Sequence, residues 1–247
     1  MELKILSYNI HRAIGIDRRF RLERIVEILA HHAPDIALLQ EVDVGAPRSG
    51  KLDLAKELAE RLGYPHYAVG LNVKLRQGMY GNATLSRFPI VRQRNIDLTI
   101  DWRKSRGCLY TSLALPSANG DEFRLAVFNL HLGLSFQERP RQIGLLVRSA
   151  EFRALALDEP CLVGGDFNDW RTRLAPIFTE ILEFDCATNH SWGYQNSLLT
   201  YPSFSPTAGL DKIFCRGGLH ILRSRRCRLG VAKVASDHLP VIADLKI

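Results

Sequence analysis

The feature that most constrains how this chain can fold is an alternation, sustained along all 247 residues, of short apolar strand-like runs with helix-like segments. Leu3 to Asn9 reads as a buried strand. Leu22 to His32 places Leu22, Ile25, Val26 and Leu29 at helical spacing and stops before Pro34. Asp35 to Glu41 is a second apolar run that ends in polar groups, and Leu52 to Leu62 is a helix closed by Gly63. Strands are expected at His66 to Val69, Ala83 to Ser86, Val91 to Leu98, Cys108 to Leu115 and Arg124 to Leu130, with a hairpin turn at Ser117 to Asp121. The longest helix is expected over Arg139 to Leu157, followed by a core strand from Pro160 to Gly164 and a short helix over Leu174 to Leu182. The stretch from there to about Pro206 reads as loop, and Asp211 to Cys215, His220 to Arg226 and Pro240 to Leu245 as closing strands. With no internal repeat, low-complexity segment or evident linker, the expectation is one α/β domain over residues 1–247, long enough to bury a sizeable core.

Polar residues collect where these strands end. Asn9 closes the first strand, and Gln40 and Glu41 close the second. Asn129 and His131 follow the Arg124 run, and Asp166 and Asn168 follow Leu162-Val163-Gly164-Gly165. Ser236, Asp237 and His238 immediately precede the last strand. Strand-end loops on a rigid sheet are common places for catalytic groups. Carboxylates and carboxamides with few thiols suit a hard cation such as Mg²⁺ or Mn²⁺. Asp and His also suit water activation and charge stabilisation at a phosphoryl group. Taken singly, each has a plain structural reading: Asn9 a turn residue, Glu41 a solvated strand end, His131 a core histidine, Gly164-Gly165-Asp166 a tight turn.

Taken in order, they match a family pattern. Ser7-Tyr8-Asn9-Ile10-His11, Leu39-Gln40-Glu41-Val42, Asn129-Leu130-His131-Leu132, Gly165-Asp166-Phe167-Asn168 and Ser236-Asp237-His238 together resemble the endonuclease/exonuclease/phosphatase superfamily of DNase I-like hydrolases. The resemblance runs from Asn9 to His238, with the GDFN and SDH elements the more specific. It implies a four-layer αββα sandwich, two mixed sheets face to face with helices outside and the active site at one end. It also implies roles. Glu41 is the principal metal ligand, with Asn9 as ligand or orienting group and Asp237 completing the shell. Asp166 and Asn168 position or deprotonate the attacking water. His238 contacts the scissile phosphate, fixed by Asp211 of Gly209-Leu210-Asp211-Lys212-Ile213-Phe214. His131 donates to a non-bridging oxygen. Whether His238 or Asp166 is the base stays open. Asn129, within the matched Asn129-Leu130-His131-Leu132 element, is taken as substrate-binding.

Further segments bear on the subgroup. Tyr80-Gly81-Asn82-Ala83-Thr84-Leu85-Ser86-Arg87-Phe88-Pro89 is similar to an element of bacterial and sphingomyelinase-like members and makes Asn82 a candidate phosphate contact. Arg48, in Ala46-Pro47-Arg48-Ser49, reads either as a substrate-phosphate contact or as an exposed loop arginine. No glutamate near Asn82 stands out as a brace for His131. Having histidine at position 131 separates the chain from abasic-site endonucleases.

Composition enters at the choice of substrate. A formal net charge of +7 favours anionic partners. The runs Arg18-Arg19-Phe20-Arg21 and Arg223-Ser224-Arg225-Arg226 read as phosphate-binding or as solvated surface. The first expectation is a phosphodiesterase acting on DNA or RNA. The alternative is a lipid-headgroup or small-molecule phosphodiesterase, for which Trp192, Tyr194, Tyr201 and Phe204 are candidate contacts. A non-catalytic binding module conflicts with the presence of Glu41, Asp166, Asn168, Asp211 and His238 together. Five cysteines, none in a CxxC, argue against a disulfide scaffold or zinc site. With neither a signal-peptide core nor an apolar run of about 18 residues, a cytoplasmic protein is expected.

Overall fold

The computed structural model describes residues 1–117, 120–189 and 197–247. Its elements follow the chain as β1 (Glu2–Asn9), α1 (Leu22–His32), β2 (Ile36–Val44), α2 (Leu54–Leu62), β3 (His66–Lys74), β4 (Met79–Ser86), β5 (Ile90–Asp97), β6 (Gly107–Pro116), β7 (Glu122–His131), α3 (Glu138–Arg148), α4 (Ala150–Arg153), β8 (Cys161–Asp166), β9 (Asp185–Cys186), β10 (Asp211–Arg216), β11 (His220–Arg226), α5 (Ala232–Ala235) and β12 (Val241–Lys246). They form two six-stranded mixed sheets, ordered β11-β12-β1-β2-β4-β3 and β5-β6-β7-β8-β10-β9. The parallel pairs are β1 with β2 and β7 with β8. Helices flank the sheets, which gives the four-layer αββα sandwich.

Alternation along each strand sorts the three apolar layers, because successive side chains point to opposite faces. Leu3, Ile5, Leu38, Val127, Leu162 and Ile213 meet between the sheets. Leu6, Tyr8 and Leu39 face Ile25, Leu29 and Leu58 of α1 and α2. Phe128, Leu130 and Phe214 face Ile143, Leu146 and Phe178 on the far side. The helix ends follow their chemistry. Asp53 caps α2 by accepting from the Lys56 amide, and Gly63 closes it at φ 67°.

Two expected helices are corrected. The helix expected over Arg139 to Leu157 is broken at Ser149, whose backbone is extended and whose hydroxyl accepts from the Phe152 amide to start α4. The helix expected over Leu174 to Leu182 is reduced to a π-turn at Ile177–Ile181. The expected turn at residues 117–121 includes positions 118 and 119, and the candidate contacts Trp192 and Tyr194 fall within 190–196; all lie outside the described residues. The five cysteines are free, four of them buried. Among the described residues no helix is long and apolar enough to cross a membrane.

Candidate active site

The same alternation builds the site. The inter-sheet face of β1 runs Leu3, Ile5, Ser7, Asn9; that of β7 runs Val127, Asn129, His131; that of β8 runs Leu162, Gly164, Asp166. Each strand therefore turns from apolar to polar toward one end of the sandwich. Register brings those ends together: Asn9 pairs with Gln40, His131 with Asp166, and Asp166 with Asp211. Within β8, Gly165 admits no other residue, since its φ of 139° and an ideal Cβ only 1.9 Å from the Leu130 carbonyl oxygen leave no room for a side chain.

Asp166, Asp211 and His238 lie with ligand atoms within 4.8 Å of one another, all buried. Asp211 Oδ2 faces His238 Nδ1 at 2.9 Å and also accepts from the Thr200 hydroxyl at 2.5 Å. His238 Nε2 lies 3.8 Å from Asp166 Oδ2, and His131 Nε2 approaches that oxygen to 3.4 Å. The same oxygen accepts from Asn9 Nδ2 at 3.1 Å, while Asp166 Oδ1 accepts from the Asn168 amide at 2.9 Å. The Ser236 hydroxyl ties this cluster to β1 by donating to the Asn9 carbonyl (2.7 Å) and accepting from the His238 amide. Tyr201 packs on the His238 ring at 5.1 Å and on Trp170 at 5.3 Å.

Electrostatics differ sharply within this cluster. Burial opposes a charge on His238, but Asp211 and Asp166 outweigh it and hold the imidazole well above its ordinary pKa. Burial drives His131 the other way, helped by the Arg106 guanidinium, which favours its neutral form. Burial raises the Asp166 carboxyl despite the opposing pull of His238. A carboxylate with raised proton affinity beside a histidine that carries charge is an arrangement able to take a proton from water and stabilise a phosphoryl oxyanion.

Glu41 sits across the mouth, at a register shift between β2 and β4 and at φ 55°. Its Oε2 is buried and without a hydrogen-bond partner, with the Arg12 Nε, equally unpartnered, 3.4 Å away. Asp237 is half-exposed, its Oδ1 3.9 Å from His11 Nδ1. Asn9 falls on the orienting side of its expected role: its Oδ1 accepts from the His11 amide and its Nδ2 is spent on Asp166. A buried carboxylate oxygen that accepts no hydrogen bond is the kind of hard donor that suits a divalent cation such as Mg²⁺ or Mn²⁺.

The three expected substrate contacts are placed elsewhere. Asn129 is fully buried between the sheets and its amide is saturated. Nδ2 donates to the Leu39 and Ala83 carbonyls, and Oδ1 accepts from Gln40 Nε2 at 2.8 Å. Asn82 donates to the Gly107 and Asn129 carbonyls. The side-chain amide donors of both are thus committed to main-chain carbonyls. Arg48 makes a two-pronged ion pair with buried Asp43 (2.7 and 2.9 Å) and packs on Tyr80. Asn168 donates from its side chain to the Leu132 carbonyl at 3.0 Å.

The sequence did not single out Arg12, Arg106 or Thr200, and it offered Tyr201 only as a lipid-headgroup contact, not as the ring that packs on His238. Arg12 follows directly on the Asn9-Ile10-His11 element, and that adjacency was an available signal. Thr200 and Tyr201 stand in a stretch whose polar and aromatic composition reads only as loop.

Comparison with known proteins agrees with this geometry. The sequence profile described as "Endonuclease/Exonuclease/phosphatase family" matches residues 6–238. The Escherichia coli K12 protein YbhP is 29% identical over 253 residues, covering 99% of this chain and 96% of its own length. An endonuclease/exonuclease/phosphatase from Beutenbergia cavernae superposes with a TM-score of 0.79 at 21% identity, over 100% of this chain and 72% of that one. The Bacteroides thetaiotaomicron mannosyl-6-phosphatase Bt3783 does so with 0.73 at 21% identity, over 99% and 100%. At these identities the structural likeness speaks to the fold.

Proposed function

The chain belongs to the endonuclease/exonuclease/phosphatase family, and within it we propose a Mg²⁺- or Mn²⁺-dependent phosphodiesterase that cleaves nucleic-acid phosphodiesters by attack of an activated water. The observation that carries the hydrolytic reading is Asp166 Oδ2, a buried carboxylate oxygen met by Asn9, His131 and His238 together. In this reading Asp166 orients the water and takes its proton. Asn9 and the Asn168 amide hold the carboxylate in place. His238, kept protonated and aligned by Asp211, and neutral His131 donate to the phosphoryl oxygens as negative charge grows there. Glu41 and Asp237 would hold the divalent cation, which supplies Lewis-acid stabilisation of the phosphoryl group.

Net charge of +7 supports nucleic acid as substrate. The second arginine run lends less than its sequence promised, because Arg223 and Arg225 are both paired with Asp244. One observation favours the lipid-headgroup alternative. Trp102, Leu134 and Phe136 are 91%, 70% and 60% exposed, the last two just after His131 and Trp102 on the loop before Gly107, the residue that pairs with His131. The deciding experiment is turnover of single- and double-stranded DNA, RNA, phospholipid vesicles, a simple diester and a sugar monophosphate with Mg²⁺ or Mn²⁺. Cleavage of nucleic acid that weakens steeply with salt and vanishes with chelator is the expected result. Salt-insensitive cleavage confined to vesicles moves the assignment to lipid, and full activity in excess chelator overturns the metal.

A further inference from the structure

β11 is an edge strand, and alternation sends its basic residues over both of its faces. Arg225 pairs in register with Ile242, whose side chain packs under the helices, and Arg226 with Val241, which points between the sheets. Arg223 and Arg225 share the single carboxylate of Asp244. Arg226 spends one donor on the Leu199 carbonyl at 3.0 Å. Unlike Arg223 and Arg225, the side chains of Arg226, Arg228 and Lys233 have no carboxylate partner among the described residues. Arg228 and Lys233 are exposed, and Arg226 is half-buried. The chain between them is fixed by Cys227, whose amide donates to the Pro240 carbonyl at 2.8 Å.

Two adjoining cavities take up these charges. One, of about 710 Å³, lies between the end of α1 and β11 and is lined by Leu198, Leu199, Arg225, Arg226 and Arg228. The other, of about 270 Å³, is lined by Ser203, Phe204, Arg226, Arg228, Lys233 and Leu239. Arg226 and Arg228 belong to both, so the two make one groove, and among the described residues no carboxylate lines it. One end of the groove adjoins the candidate active site. Leu239 follows His238, the Ser203 amide donates to the Asp237 carbonyl at 2.8 Å, and the Ser203 hydroxyl donates to the Ser236 carbonyl at 2.7 Å. Phe204 stands at that end and is 62% exposed.

We propose that this groove binds a single-stranded segment of nucleic acid outside the catalytic cluster, with Arg226, Arg228 and Lys233 on its phosphates and Phe204 stacked on a base. The proposal rests on the nucleic-acid reading above and adds a second contact region to it. Cations free of counter-charge hold a polyanion by releasing its condensed counterions. An exposed ring among them accepts any base, because every base has a π-face. The concave shape selects a strand over a bilayer, since a flat surface cannot reach Arg226 where it sits half-buried between the two cavities. A single strand, more pliable than a duplex, can follow the groove and still enter the site.

In chelator-treated protein, binding of a fluorescent oligothymidylate of about twenty nucleotides is read by anisotropy across a salt series. Arg228→Gln/Lys233→Gln should weaken binding about tenfold and lower the slope of log affinity against log salt by about 1.4, the value for two phosphates of a single strand. Phe204→Ala should weaken binding about fivefold or more and leave the slope unchanged. With metal, the double variant should raise KM for the oligonucleotide and spare its kcat. Hydrolysis of bis(p-nitrophenyl) phosphate should be unchanged in all of these variants. Lys56→Gln/Arg61→Gln on α2, which packs toward the opposite edge of that sheet, removes the same charge and should alter neither binding nor slope. No binding by the wild type, a wild-type slope in the groove variant, or an equal loss in the α2 control overturns the groove. Continued cleavage of the oligonucleotide then leaves the phosphodiesterase reading standing. Groove-dependent binding with no cleavage under any metal overturns that reading and keeps the groove. Tighter binding of a duplex, with Phe204→Ala neutral, overturns the single strand. A loss confined to phosphatidylglycerol vesicles overturns nucleic acid as the occupant in favour of a membrane.

Discussion

The two halves of the candidate site are built on opposite terms. On the histidine half, Asp211, His238, Asp166, Asn9 and Ser236 bond to one another, leaving Asp211 Oδ1 as the unpartnered oxygen of the chain of contacts. On the Glu41 half, Glu41 Oε2 and Arg12 Nε lie 3.4 Å apart as a loose ion pair, both buried without a hydrogen bond. The backbone there is left-handed at His11, Arg12, Ala13 and Glu41, with φ of 45°, 61°, 58° and 55°. Such conformations at non-glycine residues cost about 1–3 kcal/mol each and persist where the surroundings enforce them. The first half is thus organised by the protein alone. The second half is held in a strained shape in which Glu41 meets only the Arg12 guanidinium and accepts no hydrogen bond at Oε2.

The sharpest way to break this contrast is to remove the centre of the organised half. His238→Ala should lower kcat per folded molecule by about 10²–10⁴-fold, the range for loss of a positioned acid or electrostatic group. Asp211→Asn should cost less, since an amide oxygen can still accept from Nδ1 and from Thr200. The double variant should lose less than the product of the single losses, because the two act as a unit. Multiplicative losses in single-turnover assays would show that the pairing has no catalytic meaning.

Glu41→Ala tests the other half and should act through the metal. The Mg²⁺ or Mn²⁺ concentration for half-maximal turnover should rise by about 10–100-fold, with kcat at saturating metal reduced less. Calorimetric titration of the metal checks this independently of substrate. An unchanged metal requirement would place the cation elsewhere, at the cluster of Asp166, Asp211 and His238.

Beneath both halves lies a third element that the contrast depends on. Asn129 joins the sheets through Leu39, Ala83 and Gln40. Asn129→Leu removes the side-chain donor to two buried carbonyls and one of the acceptors of Gln40 Nε2, and should cost about 2 kcal/mol of stability, read by denaturant unfolding. Turnover per folded molecule should fall far less than in His238→Ala. A selective collapse of kcat with intact stability would return Asn129 to the substrate-binding role that its motif implied.

Asn129 also shows where the sequence stops being legible. Its motif put it at a strand end beside His131, which the structure bears out. Nothing in a linear motif says that residue 129 sits two positions deeper along the same inter-sheet face, where all its hydrogen-bonding capacity is consumed by the opposite sheet. The strands and α1 were readable because period-2 and period-3.6 burial leave a local imprint. The break at Ser149 was not, because Arg139 to Leu157 keeps helix-compatible composition through it and the stop comes from one serine side chain. Arg106 was invisible for a different reason. An arginine in Arg103-Lys104-Ser105-Arg106 reads as solvated surface until the fold shows that it alone of the four is buried.

The smallest effect concerns a histidine outside the site, which serves as a control on the charged state of His238. His32, at the end of α1, is half-buried with an unpartnered Nε2. Burial and then neighbouring His31 and Arg225 lower its pKa from 6.5 to about 4. A lowered value means that the unfolded chain binds the proton more readily across that window. Stability from neutral His32 is therefore complete above about pH 6.5 and is lost as pH falls toward 4. His238 has the opposite sign. Its raised value gives a contribution that is complete below the unfolded value and is lost as pH rises through the folded one. His32→Gln should flatten the acid side of the melting-temperature profile and leave the pH dependence of turnover where it was. His238→Gln should flatten the alkaline side and remove turnover. If His32→Gln shifted the pH profile of kcat, the two histidines would be coupled, and the picture of an organised half insulated from the rest of the molecule would have to be abandoned.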